Sequence, residues 1–375
     1  MWAGLVDYVI PFLVILTVLV FVHEMGHYLV ARRAGVRVEV FSIGFGRELF
    51  GWTARSGTRW KISMLPLGGY VKMFGDADPS SVGSTGLDKM SEAERAGSFH
   101  HKPLRSRAAV VAAGPIANFL FAILLLAGLY TFVGRQYAPP VADEVVAGSA
   151  ADEAGIKDGD IFVSADGAAI ARFEDLRRAV FERPGQPISM VIERDGNRFP
   201  LTVTPAAVTE TDRFGSQHTF GQLGVRNNQV SIEHLDPVSA IGAATAETWS
   251  IVGQTLDAVG QIITGTRGTE ELGGPLRIAQ LSGDVAQRGW ETTVWFMAML
   301  SINLGLINLF PIPVLDGGHL LFYAIEALRG RPLGERAQEW ASMAGLSLVI
   351  ALMLFVTWND LIHLNVVEYI GTLLG

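Results

Sequence analysis

Residues Val9–Val30 read VIPFLVILTVLVFVHEMGHYLV, an apolar run broken only by Thr17 before it meets His23-Glu24-Met25-Gly26-His27. Such a run is long enough to cross the roughly 30 Å hydrocarbon core of a bilayer as a helix. It has neither the basic start nor the small-residue cleavage site of a signal peptide, so it reads as a retained span. On a helix, His23 and His27 fall on one face, about 6 Å apart along the axis. That spacing lets two imidazoles share one tetrahedral Zn²⁺, with Glu24 flanking them as a base for water. Chance gives this five-residue pattern about 0.009 times in a chain of this composition. Three ionisable side chains within five residues of a span cost a few kcal/mol each unless a cation compensates them.

The composition points the same way. Of 375 residues, 49% are hydrophobic and 18% charged, and the mean hydropathy is +0.32. A soluble domain carries about a quarter charged residues, so disorder and an ordinary cytosolic enzyme are disfavoured. The net charge of −8 leaves no basic footprint, so no nucleic-acid partner is expected. Cysteine is absent, which excludes disulfide scaffolds, thiolate nucleophiles and Cys-ligated zinc. Any metal must take His, Asp or Glu.

Three further stretches have the length and apolarity of spans: about Ala108 to Val133, Val294 to Phe310 and Ala341 to Trp358. The predicted fold is a multi-span α-helical membrane protein with four transmembrane helices, an inserted extracytoplasmic β-rich domain and a membrane-associated β-hairpin. Residues 31–107 carry 13 Lys/Arg against 7 Asp/Glu, and Arg329, Arg331 and Arg336 fill the short loop before the last span. The first eight residues and residues 359–375 carry no Lys or Arg. The positive-inside rule then places both termini outside the cytoplasm and residues 31–107 inside. The chain divides into a first span (1–33), a cytoplasmic segment (34–107), a second span (108–133), a β-rich module (134–207), and an extracytoplasmic linker with amphipathic helices (208–291). A third span (292–328), a cytoplasmic loop (329–340) and a fourth span with the C-terminus (341–375) follow.

Within 34–107, Phe41–Phe50 and Trp60–Met73 are strand-prone apolar runs joined by a turn at Ser56-Gly57, which predicts a hairpin dipping toward the bilayer. Within 134–291, the runs Ile161–Val163, Ile188–Ile192 and Phe199–Val203 alternate with turn signals around one helical stretch, Phe173–Phe181. From Asp236 to Ile263 the pattern is helical, and either a helix packed on the module or an amphipathic helix at the membrane surface accounts for it.

A metal held by two histidines needs a third protein ligand. Val30 and Arg33 stand where the long metzincin signature requires Gly and His, so that class is excluded. Glu39 and Glu48 lie beyond the first span and read as solvated. Asp316, in Asn308-Leu-Phe-Pro-Ile-Pro-Val-Leu-Asp-Gly-Gly-His319, is the better candidate because it ends the third span at a depth comparable to His23 and His27. His319 is a rival. Asn118, inside the second span, reads as a helix–helix hydrogen bond.

These motifs together resemble the site-2 protease family of intramembrane zinc metalloproteases, in its bacterial regulator-of-sigma-E branch. The resemblance rests on His23–His27, Asn308…Pro311…Leu315-Asp316-Gly317, Gly114-Pro115 with Asn118, and Gly68-Gly69-Tyr70-Val71-Lys72-Met73, and it covers nearly the whole chain. Residues 149–167 resemble the turn-rich heart of a PDZ domain, which would make the inserted module PDZ-like. The resemblance implies one Zn²⁺ per chain bound by His23, His27 and Asp316, with Glu24 as general base. Asn308, Gly68, Gly69 and Tyr70 would bind substrate. It further implies a bacterial inner membrane location and single-span membrane substrates, anti-sigma factors foremost, with a peptide or carboxyl terminus at the PDZ-like module. A non-catalytic PDZ membrane receptor with a structural metal is the alternative class. The best-known bacterial member has two tandem PDZ domains, whereas 134–291 hold one clear pattern.

Overall fold

The computed structural model describes residues 5–75, 90–211, 217–265 and 273–363. The outermost residues at both chain ends, read above as extracytoplasmic, lie outside that set. Four helices among the described residues are long and apolar enough to cross a membrane: Val6–Arg33, Leu104–Phe132, Trp290–Asn308 and Arg336–Leu361. Their outward faces carry exposed apolar side chains such as Leu120, Leu124, Leu352 and Leu354, the surface a hydrocarbon solvent stabilises. The chain is a membrane protein.

A π-helical turn at Leu5–Val9 leads into α1 (Ile10–Arg33). Strands β1 (Val38–Thr53) and β2 (Arg59–Met73) pair antiparallel across the turn at 54–58, but not as a simple hairpin. Val40, Phe41, Ser42 and Ile43 face Lys72, Val71, Tyr70 and Gly69 on one side and Arg59, Trp60, Lys61 and Ile62 on the other. Gly44 and Gly46, both at φ +87°, let β1 turn back on itself. Phe50–Thr53 can therefore take the far edge against Arg59–Ile62. The opposite outermost run, Gly69–Met73, pairs only with Val38–Ile43 among the described residues, so its other backbone edge carries no strand.

Helix α2 (Glu92–Gly97) opens with a Ser91/Glu94 capping box. Helix α3 (Leu104–Phe132) holds Pro115 in its interior. It meets α1 at backbone distance: a Cβ on Gly26 would stand 2.8 Å from the Ala117 Cβ. Small residues permit this approach in membranes, where close packing replaces the hydrophobic effect between helices.

The chain forms two compact units, and residues 130–239 make up most of the second. After β3 (Arg135–Tyr137), β4 (Glu144–Val145) and α4 (Ala150–Glu153) come β5 (Ile161–Ala165), β6 (Ala168–Ala169), α5 (Phe173–Phe181), β7 (Ile188–Arg194) and β8 (Asn197–Val203). The main sheet has the order β6-β5-β7-β8. Its inward side chains (Phe162, Ile188, Met190, Ile192, Val203) close a core with Leu176 and Val180 of α5. Strands β9 (Ala206–Thr211), β10 (Gln217–Gln222), β11 (Val225–Arg226) and β12 (Ser231–Glu233) follow. Here the structure departs from a module ending at 207. Strand β11 pairs with β4 and β12 with β3, so the fold closes only at 233. Strands β9 and β10 pair over six residues, while the β11 and β12 pairs, two and three residues long, leave no alternating pattern in the sequence.

Helix α6 (Pro237–Ile263) is capped by Asp236, whose carboxylate accepts from the Val238 and Ser239 amides. Its residues 240–257 belong to the first unit. Trp249 stacks on Phe119 of α3, and the Thr255 hydroxyl donates to Asn303 at 3.3 Å. This stretch therefore packs on span helices. Helix α7 (Pro275–Arg288) has its first amides bound by Asp360, buried in the last helix. The segment read as one third span is two helices, α8 (Trp290–Asn308) and α9 (Asp316–Arg329). Pro311 and Pro313 lie in the break, since each lacks the N–H and carries the ring that stop a helix. Helix α10 (Glu335–His363) completes the unit.

Candidate metal centre

Helix α1 places His23 and His27 one turn apart, and the break before α9 delivers Asp316 to the same point. His23 Nε2 and His27 Nε2 are 3.2 Å apart. The Asp316 Oδ2 lies 3.1 Å from the first and 3.5 Å from the second. Atoms bound at about 2.0–2.1 Å to one tetrahedral ion stand about 3.3 Å from each other, so the three donors already have the edges of such a shell. The Asp316 Oδ2 is buried and makes no hydrogen bond. A buried carboxylate oxygen left in that state is costly, and a cation between the three atoms removes the cost. Two imidazoles and a carboxylate are also a borderline-hard donor set that suits zinc. Among the described residues this is the one His/Asp/Glu group with metal-site spacing.

Neighbouring groups fix the imidazoles. His27 Nδ1 lies 2.9 Å from the Val110 carbonyl, which can only accept. The proton is therefore on Nδ1 and the lone pair on Nε2, facing the other donors. His23 Nδ1 lies 3.2 Å from the Asn118 amide. Gly114 on α3 faces both rings, and a Cβ there would stand 2.6 Å from His27 Cε1 and 2.8 Å from His23 Cε1.

Glu24 follows His23 but stays outside the triangle. Its carboxylate accepts from the Val71 backbone N–H, and its Cγ would be 3.3 Å from a Cβ on Gly69. The outer edge of Gly69–Met73, which pairs with no further strand among the described residues, thus runs beside the carboxylate. Gly68, at φ +142°, has the Phe45 ring against it. Tyr70 stacks on the same ring, with the Lys61 ammonium 5.2 Å from its centroid. Asn308 is half-buried as the last residue of α8 and does not join the donor triangle.

The rival ligands sit elsewhere. His319 packs edge-on to Phe322. Glu48 pairs with Arg59 at 2.5 Å, and Glu39 lies 3.9 Å from Lys72. Sequence reasoning missed Gly114, Val110 and Val71 as parts of the site. Gly114 and Asn118 stand four residues apart on α3, the same one-face spacing that marks His23 and His27, and that signal was available.

The sequence matches the family model described as Peptidase family M50 over residues 11–352. A putative zinc metalloprotease of Agrobacterium fabrum is 49% identical over 362 residues, covering 95% of this chain and 96% of its own. One from Rhizobium meliloti is 48% identical over 361 residues, with coverages of 95% and 96%. The metalloprotease MmpA of Caulobacter vibrioides is 38% identical over 394 residues and 99% of each chain.

Proposed function

This chain belongs to peptidase family M50, and from that premise we propose that it cuts single-span membrane proteins within or beside the bilayer, with one zinc held by His23, His27 and Asp316. Membership makes it a zinc metalloendopeptidase of the site-2 protease family, embedded in a membrane. The observation that carries the residue assignment is the triangle of donors with edges of 3.1, 3.2 and 3.5 Å. Three protein ligands leave a fourth position open, the mark of catalytic rather than structural zinc. That count disfavours a receptor with a structural metal.

When bound, the zinc would bring the pKa of water toward neutrality and polarise the scissile carbonyl. Glu24 takes the proton of the attacking water as its oxygen bonds to the carbonyl carbon. It returns that proton to the departing amine as the C–N bond breaks. The Val71 N–H bond holds the carboxylate in one orientation for both transfers. A helical substrate hides its carbonyls in its own hydrogen bonds and must open before attack. The outer edge of Gly69–Met73, beside Glu24, offers an opened stretch a strand to pair with on either side of the Val71 N–H that Glu24 takes. Tyr70 and Asn308 are assigned as further substrate contacts on family resemblance.

The substrate class is an anti-sigma-factor-like protein already trimmed by a first protease, in a bacterial inner membrane. Both chain termini and the module of residues 130–239 would lie outside the cytoplasm. The module is PDZ-like and either binds the trimmed carboxyl terminus or excludes bulky ectodomains. Glu24→Gln tests the central assignment: it should bind zinc like the parent and leave a single-span substrate uncut. Full activity in that variant overturns the role given to Glu24.

A further inference from the structure

Asn118 is fully buried in α3, one turn past the glycine that faces the two imidazoles. Its backbone is fixed from the other side. Ser301 Oγ of α8 donates to the Asn118 carbonyl at 2.8 Å. A Cβ on Gly305 would stand 3.3 Å from the Asn118 Cβ and 3.1 Å from the Pro115 oxygen. Two helices in backbone contact leave this side chain little freedom beyond rotation of its amide.

One end of that amide lies 3.2 Å from His23 Nδ1. With the nitrogen at that end, the side-chain oxygen is buried and finds no partner. His23 Nε2, not Nδ1, lies 3.1 Å from Asp316 and 3.2 Å from His27 Nε2. A ligand imidazole must present a lone pair on the nitrogen that faces the metal, so its proton sits on the other one. That nitrogen is Nδ1, now a donor, and the group opposite must accept. A half-turn about the Cβ–Cγ bond exchanges the amide's two ends while the rest of the residue stays in place. It puts the oxygen against Nδ1 and removes it from the place where no donor reaches it.

We propose that Asn118 is a positioning residue whose side-chain oxygen accepts the His23 Nδ1 proton and thereby holds the His23 lone pair on Nε2, toward the metal. The proposal rests on the zinc reading given above. It makes the two imidazoles equivalent in design: the Val110 carbonyl orients His27, and the Asn118 amide oxygen orients His23. Both acceptors belong to α3, so one helix sets the tautomer of both ligands on another.

The test uses the full-length chain in detergent, stripped of metal and titrated with Zn²⁺ against a chromophoric chelator. Apo helicity and melting serve as the control for folding. Asn118→Leu keeps the shape and removes the acceptor, Asn118→Ala removes both, and Asn118→Asp keeps an acceptor and removes the amide donor. The expected result is zinc affinity roughly 10- to 100-fold weaker in the Leu and Ala variants, with Asp within a few-fold of the parent. A Leu variant that binds as tightly as the parent overturns the proposal. So does an Asp variant as weak as Leu, which would show that donation by the amide nitrogen is what counts. If Leu fails to fold, the Ala and Asp pair decides by the same criterion. A parent chain that takes up no stoichiometric zinc overturns the metal reading itself and the proposal with it. Parent binding with unchanged variants overturns the proposal alone.

Discussion

A single methyl group on α3 should separate the fold from the site. In Gly114→Ala the new Cβ would stand 2.6 Å from His27 Cε1 and 2.8 Å from His23 Cε1. Carbons in ordinary contact lie about 3.5–4.0 Å apart, so the rings must give way by about 1 Å. Metal–ligand distances tolerate about 0.2 Å. Moving α1 away from α3 as a body would instead open the close contact at Gly26, where the Ala113 backbone and the Ala117 Cβ pack against it, and would lose the packing that holds the two helices together. The imidazoles must therefore turn out of the triangle. In a reacting site a displacement of about 1 Å costs on the order of 10²-fold in rate, and we expect at least that loss of cleavage together with weaker zinc binding. The same substitution favours the helix itself, since Ala exceeds Gly in helix propensity by about 1 kcal/mol. The apo protein should melt no lower than the parent. Gly128, on the same helix, has open space where a Cβ would stand, with nothing within 4 Å. Gly128→Ala is therefore the matched control and should retain both zinc and activity. Chelator competition, cleavage of a single-span substrate in liposomes and circular dichroism melting read the three quantities. Gly114→Ala with zinc affinity and cleavage within about threefold of the parent would show that the imidazoles do not depend on the space at Gly114.

Two further outcomes follow from the geometry. Val71→Pro removes the N–H that Glu24 accepts while sitting on a strand edge where proline is tolerated. Hydrogen bonds to charged groups contribute about 1.5–3 kcal/mol, so cleavage should fall roughly tenfold or more with zinc content unchanged, and unaltered cleavage would remove the edge from the mechanism. In the second unit, burial pushes the Asp160 carboxyl up, but hydrogen bonds from Arg194 and the Lys157 amide outweigh it and hold the group below its ordinary range. A carboxyl depressed by folding stabilises the folded form above its unfolded pKa, near 3.9, and that contribution is lost as pH falls through the folded value. Asp160→Asn should lower the melting temperature of this unit at pH 7, and the difference should shrink below about pH 4. A difference that persists in acid would assign the effect to packing.

The parts of the molecule legible in the sequence are those whose signal is local. Residues 9–30 announce a span by length, and His23 and His27 announce a shared face by spacing, because both depend on helical geometry alone. Helix α5 occupies Phe173–Phe181 and α6 begins after Asp236, where periodicity and capping residues point. What stayed hidden depends on partners far along the chain. Strands β11 and β12 exist only by pairing with β4 and β3. The periodicity of α6 defines an apolar face but not its partner, and Phe119 and Asn303 supply that. Nothing in Val38–Thr53 says that the strand doubles back at Gly44 and Gly46. Asn118 reads as a generic interhelical hydrogen bond because its partner, His23, lies 95 residues away.

The proposed third ligand, Asp316, shows why the Leu315-Asp316-Gly317-Gly318 sequence works as a unit. Residues 309–315 fold back against the start of α9 so closely that side chains on the glycines would not fit. A Cβ on Gly317 would collide with the Leu309 and Phe310 carbonyls, and one on Gly318 would stand 2.6 Å from the Pro313 Cα. Gly345 of α10 closes the other side, since its Cβ would lie 3.1 Å from that of Pro313. Val314 in the middle takes φ +96°, a conformation that a β-branched residue adopts only under constraint from its surroundings. The fold supplies that constraint with proline rings and backbone packed at contact distance. Asp316 provides the oxygen, and the glycines provide the room that lets the oxygen arrive beside His23 and His27. The same division holds on α1 and α3, where Gly26 and Gly114 clear the space that the imidazoles and the helix crossing require. A search for ligands alone would find His23, His27 and Asp316. The residues that place them are largely the ones with no side chain at all.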